Sequence, residues 1–285
     1  MNSAKIDPLD AELLLAHVLR KPREWVLTHP EARVGKYASI QVSKLFKKRA
    51  LGIPLAYLTG HKEFFGLDFG VNKNVLIPRP DTEVLVTSAL EHLRTLAHGP
   101  VTLIDVGTGS GCIPIAIAKH ICQSGLSGNL DSIIAIDISK QALNVAKRNA
   151  KKHGVKIKFL HGNLLSPITN NRTMEQWNNR HIIITANLPY LTKKQYQISP
   201  TIQHEPKLAL VAKNNGLALY KKLLKQIRKL LEIKNLKLEF FLEIDPSQSK
   251  SITSLIKSIL PNAKIEIKKD LSGLDRIVKV AGKGL

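Results

Sequence analysis

Cysteine is scarce in this chain of 285 residues, which has only Cys112 and Cys122. On one expected helix they would stand roughly 15 Å apart along the axis, at about 1.5 Å of rise per residue. That separation is too long for a disulfide. No nearby pair of histidines joins them into a metal-ligand cluster, and no metal is expected. Long apolar runs are also missing, since none approaches the roughly 20 residues a membrane helix needs. The stretch Met1–Leu19 alternates apolar and charged residues and lacks the basic-then-apolar layout of a signal peptide. These absences imply a soluble, cytoplasmic chain with no membrane partner.

Acidic residues are in short supply too. The chain has 22 Asp and Glu against 43 Lys and Arg, a net charge of +21. The excess runs through the whole sequence, with no basic tail. Such a charge favours an acidic partner, whether nucleic acid, the ribosome or an acidic protein. The competing explanation is a solvated surface in a lysine-rich proteome.

What is present is an ordinary core-forming fraction, 44% apolar residues. Apolar residues recur at helical spacing over 8–20 and 37–51, and Arg23 to His29 reads as a short helix stopped by Pro30. Residues 62–77 read as a β-hairpin punctuated by Gly66 and Gly70. Pro80 then suits the start of a helix running to about His98, with Asp81 and Glu83 at its positive end. From residue 101 onward strands alternate with helices. Strands are expected over 101–106, 133–138, 156–160, 181–186 and 236–244, and helices over 140–153, 216–231 and 248–260. That alternation means a mostly parallel α/β sheet. Two last strands, 263–268 and 276–280, have no helix between them and must form an antiparallel hairpin. The fold class is therefore a Rossmann-like α/β sheet with a C-terminal antiparallel hairpin, preceded by a small helical domain. The expected spans are 1–60 for the helical domain, 61–80 for a hairpin linker and 81–285 for the catalytic domain.

Two segments carry chemistry. The first is the loop Asp105-Val106-Gly107-Thr108-Gly109-Ser110-Gly111 between a strand and a helix. Its glycines permit a tight turn and close approach of backbone to a ligand. No Walker-type lysine follows it, which argues against a nucleotide triphosphatase. Asp105 at the head of the loop would repel a pyrophosphate and welcome a sulfonium or amino group. Asp137 ends the second strand, where it can accept hydrogen bonds from ribose hydroxyls; alone, it would suit NAD equally. Asn163 is expected to end the third strand and to meet an adenine edge, with Leu164 against the ring.

The second segment is Asn187-Leu188-Pro189-Tyr190, directly after the fourth strand. Ligands of open α/β sheets bind beyond the carboxyl ends of the strands, so this turn faces the crevice of the glycine loop. The Asn187 side-chain oxygen and a rigid backbone carbonyl can accept both N–H bonds of a planar amide or amino group. Such a nitrogen is a poor nucleophile because its lone pair is delocalised. Two fixed acceptors aim it and favour the charge that develops on it during transfer. Pro189 stiffens the turn, and the Tyr190 ring offers a flat surface to a planar substrate.

On these residues the chain resembles the release-factor glutamine methyltransferases over nearly its full length. Asn187-Leu188-Pro189-Tyr190 is similar to the family's Asn-Pro-Pro-Tyr motif, and 105–111 matches its cofactor loop. Further matches are Ile77-Pro-Arg-Pro-Asp-Thr-Glu83, His204-Glu205-Pro206 with Ala209-Leu210, Asn215-Gly216-Leu217 with Tyr220, and Asp270 with Gly273 and Arg276. The resemblance implies S-adenosylmethionine as cofactor. It implies methylation of the side-chain nitrogen of the glutamine in a Gly-Gly-Gln loop. Peptide chain release factors are then the protein partners, and the N-terminal helical domain helps bind them. Asp105, Gly107, Thr108, Gly109, Ser110, Gly111, Asp137, Asn163, Leu164 and Asn187 would contact the cofactor. Asn187, Leu188, Pro189 and Tyr190 would hold the glutamine. Leu188 departs from the motif's first proline, but either residue supplies a backbone carbonyl.

Because Asn-Leu-Pro-Tyr also occurs among enzymes that methylate adenine N6, a nucleic-acid methyltransferase is the main alternative. The basic charge suits that alternative better; the helical N-terminus and segments 77–83 and 204–210 suit it worse. A non-catalytic ribosome-associated protein that kept the fold is a third reading, opposed by the intact Asp105, Asp137 and Asn187. A monomer is expected, with weak nucleic-acid or ribosome contact through the basic surface.

Overall fold

The computed structural model describes residues 6–96, 100–123, 130–169 and 177–282. Four helices come first: α1 (Pro8–Leu19), α2 (Arg23–Thr28), α3 (Lys36–Ala50) and α4 (Leu55–Thr59). Asp7 caps α1, its carboxylate accepting from the Leu9 amide at 2.8 Å, with Pro8 at the first helical position. The first three match the helical spacing of the sequence; α4 had no counterpart there, being too short for a period to register.

The hairpin is shorter than its apolar pattern suggested. Strands β1 (His61–Phe64) and β2 (Leu67–Gly70) pair antiparallel, and pairing stops at Gly70. Val71, Val75 and Ile77 continue the alternation and are buried, but as irregular chain. Val71 and Val75 pack on Ala142 and Val145 of a later helix rather than on a third strand. Asn149 anchors the end of the hairpin: its Oδ1 accepts from the Gly70 amide at 2.8 Å, and its Nδ2 donates to the carbonyls of Gly70 and Ser110.

A 3-10 turn, Pro80–Thr82, leads into α5 (Glu83–Thr95), which stops before the expected His98; residues 97–99 lie outside the described residues. Then follow β3 (Val101–Val106), α6 (Cys112–Gln123), β4 (Leu130–Asp137), α7 (Lys140–His153), β5 (Lys158–His161), β6 (His181–Ala186), α8 (Lys193–Ile198), α9 (Ala218–Leu230), β7 (Lys237–Glu243), α10 (Ser249–Ile259), β8 (Lys264–Lys269) and β9 (Asp275–Gly282). Both cysteines fall on α6 and are free thiols.

Seven strands form one sheet in the order β5-β4-β3-β6-β7-β9-β8. β3 through β7 pair in parallel, while β9 runs antiparallel to both β7 and β8. Successive residues face opposite sides of a strand. Ile104, Ile184 and Phe240 accordingly join the core under α9 and α10, and Leu103, Ile183 and Phe241 join the core under α5 and α6. Every residue of β3 is buried, as expected for the centre of a sheet covered on both faces.

Candidate functional site

The chain leaves β3 towards β4 and β5, then returns to β6 on the other side. The order of strands thus reverses between β3 and β6, and a crevice opens beyond their carboxyl ends. The glycine loop leaves β3 there, and Asn187 leaves β6. The cleft between them encloses about 870 Å³ of non-atom space, open solvent at its mouth included. Gly107, Gly109, Asp137, Asn163, Leu164, Asn187, Leu188 and Pro189 all line it.

The loop geometry needs its glycines. Gly107 has φ +77°, and a Cβ there would stand 3.0 Å from the Leu188 side chain. Gly111 has φ +82° and packs on Ile115 and Ala146. The loop is pinned from behind: the amides of Gly107 and Thr108 donate to the Ile136 carbonyl at 2.8 and 3.0 Å. Asp137 ends β4 as expected. Its Oδ2 accepts from the Gly109 amide at 2.9 Å and its Oδ1 from the Ser139 amide at 2.8 Å. With the Ile138 amide as a further donor, the carboxylate still keeps lone-pair capacity for a ribose hydroxyl. Burial raises the Asp137 pKa, opposed by those backbone donors.

Asp105 is buried behind the loop. Thr185 donates to its Oδ1 at 2.7 Å, while Oδ2 has no partner of ordinary geometry among the described residues. Burial pushes its pKa up to about 6. An unanswered buried carboxylate oxygen carries a desolvation cost that a cationic ligand would offset. Together with the glycine cradle and the apolar walls of Val75, Ile138, Ala142 and Leu164, the residues fit a cofactor with a sulfonium, an amino group and a flat base.

Asp105, Thr108, Ser110, Gly111 and Tyr190 do not line the cleft. β5 stops at His161, so Asn163 stands two residues beyond the strand it was expected to end and is exposed. Tyr190 is mostly buried, and its hydroxyl donates to Glu243 Oε1 at 3.3 Å. Its backbone is held from the other side. Gln248 Nε2 donates to the Tyr190 carbonyl at 3.0 Å and to the Asn215 carbonyl at 2.8 Å. A Cβ on Gly216 would overlap that carbonyl and Gln248 Nε2, so the Asn215-Gly216-Leu217 segment serves to seat the turn.

The other motifs find their reasons here. Glu205, 4% exposed, accepts from the Ile77 amide at 2.9 Å and pairs with Arg79. It therefore clamps segment 77–83 to segment 204–206, which carries Pro206 to the cleft wall. His204 Nε2 meets the Leu51 carbonyl at 3.1 Å and links that clamp to the end of α3. Asp270 Oδ2 accepts from Arg276 Nε and Nη2 at 3.1 and 3.0 Å, bracing the final hairpin.

Two residues at the site were not singled out from sequence. Thr82, 3% exposed, accepts from Asn187 Nδ2 at 3.1 Å through its hydroxyl. Glu243, 1% exposed, ends β7 beside it, with its pKa pushed up to about 7 by burial. The signal for Glu243 was available: an acid closing the strand Lys237–Glu243 straight after the apolar run Phe240-Phe241-Leu242, next to β6.

This sheet order, with its antiparallel last pair and a glycine loop facing an Asn-Leu-Pro-Tyr turn, defines a methyltransferase of the Rossmann-like class. A family model described as a methyltransferase domain matches residues 98–236, and one described as the PrmC N-terminal domain matches residues 2–60. The release factor glutamine methyltransferase of Bacillus anthracis is 32% identical over 94% of this chain and 90% of its own length. That of Nitratidesulfovibrio vulgaris is 33% identical over 98% and 90%. This chain belongs to the release factor glutamine methyltransferase family. Among solved structures, the hMettl16 catalytic domain in complex with MAT2A 3'UTR hairpin 1 shares the fold, with a TM-score of 0.56, 15% identity, and 84% of this chain and 80% of that chain covered. No helix among the described residues is long and apolar enough to cross a membrane.

Proposed function

We propose that this enzyme transfers a methyl group from S-adenosylmethionine to the side-chain amide nitrogen of the glutamine in the Gly-Gly-Gln loop of translation release factors. The observation that carries the reading is Asn187 at the end of β6, lining the same cleft as the glycine loop and Asp137. The cofactor supplies an electrophilic methyl group on a positive sulfur. Gly107, Gly109, Asp137 and Leu164 would hold it, with the charge of Asp105 behind them.

Asn187 Oδ1 and the Leu188 carbonyl would accept the two N–H bonds of the glutamine amide. Among the described residues the Leu188 carbonyl takes a long contact, 3.4 Å, from the Tyr220 hydroxyl, so a lone pair stays available. Fixing both N–H bonds turns the amide plane so that the nitrogen faces the methyl carbon. Nitrogen becomes positive as the new bond forms, and the two acceptors stabilise that charge. The methylated amide then loses its proton to water, and no side-chain base is required.

Substrate recognition falls to the N-terminal helical segment, 1–60, joined by the 61–80 hairpin linker to the catalytic part, 81–285. Deleting residues 1–52 should raise KM for an intact release factor and leave cofactor affinity nearly unchanged. Equal kinetics for the full and shortened enzymes would remove the recognition role.

The deciding experiment follows labelled methyl groups from S-adenosylmethionine into purified release factors, with total RNA competing. Label should enter the release factor and disappear when its loop glutamine is replaced. Label in RNA and none in protein would overturn the reading in favour of adenine N6.

A further inference from the structure

The amide of Asn187 has two ends of opposite polarity, and only one orientation presents an acceptor to the cleft. Its Nδ2 points at Thr82 Oγ1, 3.1 Å away, which leaves Oδ1 as the end turned to the cleft that Asn187 lines. What prevents the reverse is the polarity of Thr82 itself. A hydroxyl has one hydrogen to give and two lone pairs. If that hydrogen is committed elsewhere, Thr82 can only accept from Asn187.

The carboxylate of Glu243, next to Thr82, is the acceptor on offer. An ionised carboxylate is acceptor-only. Oε1 of Glu243 takes the Tyr190 hydroxyl, and Oε2, buried, has no hydrogen-bond partner of ordinary geometry among the described residues and is free to receive one. Thr82 is the leading influence keeping this carboxyl ionised against burial, ahead of the Arg276 guanidinium and the Tyr190 hydroxyl. Thr82 is itself buried, so its hydroxyl has no water to serve instead.

We propose that Thr82 and Glu243 are positioning residues that set the polarity of the Asn187 amide. Glu243 accepts a hydrogen bond from the Thr82 hydroxyl, Thr82 in turn accepts one from the Asn187 N–H, and Oδ1 is thereby held toward the substrate. The inference rests on Asn187 being the acceptor of the substrate N–H. Protonating Glu243 would give the carboxyl a hydrogen of its own to donate to Thr82. The hydroxyl could then donate to Asn187, and the amide could turn over.

The test is steady-state methylation of an intact release factor by the full-length enzyme carrying Thr82→Val, Thr82→Ser or Glu243→Gln. Cofactor binding is measured in parallel by calorimetry. Valine keeps the shape of threonine and removes the hydroxyl; serine keeps the hydroxyl. Thr82→Val should lower kcat by about tenfold or more, comparable to losing one aligned contact in the transition state. KM and cofactor affinity should stay near wild type, and Thr82→Ser should recover most of the rate.

The pH profile separates positioning from simple packing. The groups facing Glu243 are Arg276 from β9, Asp81 in the turn, Tyr190 after β6, Tyr220 on α9 and Cys112 on α6. Wild-type kcat should rise as Glu243 ionises towards neutral pH, and Glu243→Gln should be slow without that rise. Wild-type kcat in Thr82→Val, a loss in Thr82→Ser as large as in the valine variant, or an unchanged acid limb in Glu243→Gln would each overturn the proposal. A wild-type enzyme that labels no release factor overturns the substrate reading and takes this inference with it. An active wild type with an unaffected Thr82→Val overturns the positioning role alone.

Discussion

Glu239 and Glu243 lie four residues apart on β7, on the same face of the sheet, yet their carboxyls are driven in opposite directions. Glu239 is held down to about 2 by the imidazoles of His181 and His92, against the effect of its burial. Glu243 is pushed up to about 7, because burial outweighs Thr82, Arg276 and Tyr190. Helix α5 explains the pairing. It runs opposite to β7, with Thr82 before its first residue beside Glu243 and His92 near its end, 3.7 Å from Glu239. Ten residues of helix cover roughly 15 Å and four of strand roughly 13 Å, so both contacts are made at once.

The difference separates the two ends of the sheet by task. At the amino ends of the strands, His92, His181 and Glu239 bring their ligand-type atoms within 4.8 Å of one another, and His181 bonds Glu239 directly. That end contributes to holding α5 on the sheet. At the carboxyl ends, Glu243 and Asp105 are buried, each with an oxygen that makes no hydrogen bond of ordinary geometry among the described residues, and Asn187 lines the cleft. A buried carboxylate without a full set of partners costs stability, and these two stand at the end of the sheet where a ligand would be met.

The largest expected effect tests the carboxyl end. Asn187→Ala should lower turnover by on the order of 10² or more, as for removal of one preorganised electrostatic contact. Its cofactor affinity and melting temperature should remain close to wild type. Near-normal turnover on a glutamine-loop substrate would remove the assignment of Asn187.

Next in size is the dependence of stability on pH. For Glu243 the folded pKa lies above its ordinary value of 4.5. Its contribution therefore favours the fold below about pH 4.5 and is lost as pH rises through about 7. Over that window the loss should reach about 3 kcal/mol at most. Glu243→Gln should flatten the denaturation midpoint between those limits relative to wild type. Asp105 works in the same direction in both proteins and cancels from the difference. Parallel curves for the two proteins would show that Glu243 titrates normally.

The smallest effect belongs to the amino end. The folded pKa of Glu239 lies below 4.5, so its contribution is present above about pH 4.5 and disappears as pH falls through about 2. Glu239→Gln should cost about 1.5 kcal/mol at pH 7, the lower end for hydrogen bonds to charged groups because solvent screens part of the pair. Urea denaturation should show that shift, with kcat unchanged. A variant that loses turnover while folded would erase the division of labour between the two ends.

The sequence alone determined the order of strands and helices, because hydrophobic period is local and needs no partner to be read. β3, α7 and β6 begin and end where their patterns did. It also placed the glycine loop and Asn187 at one sheet edge, since each follows a strand of a parallel sheet. Where burial came from a distant element, local pattern misled. Residues 71–77 alternate like a strand, yet Val71 and Val75 are buried by α7. The Tyr190 hydroxyl reaches Glu243, a contact no local pattern announces. Thr82, Asn187 and Glu243 are separated by 105 and 56 positions and meet only after α5 has docked across β6 and β7. Their partnership, and the polarity it gives to the Asn187 amide, depends on which donor faces which acceptor in a space closed to water. Only the tertiary structure decides that, because it alone determines which polar groups are left with a single partner.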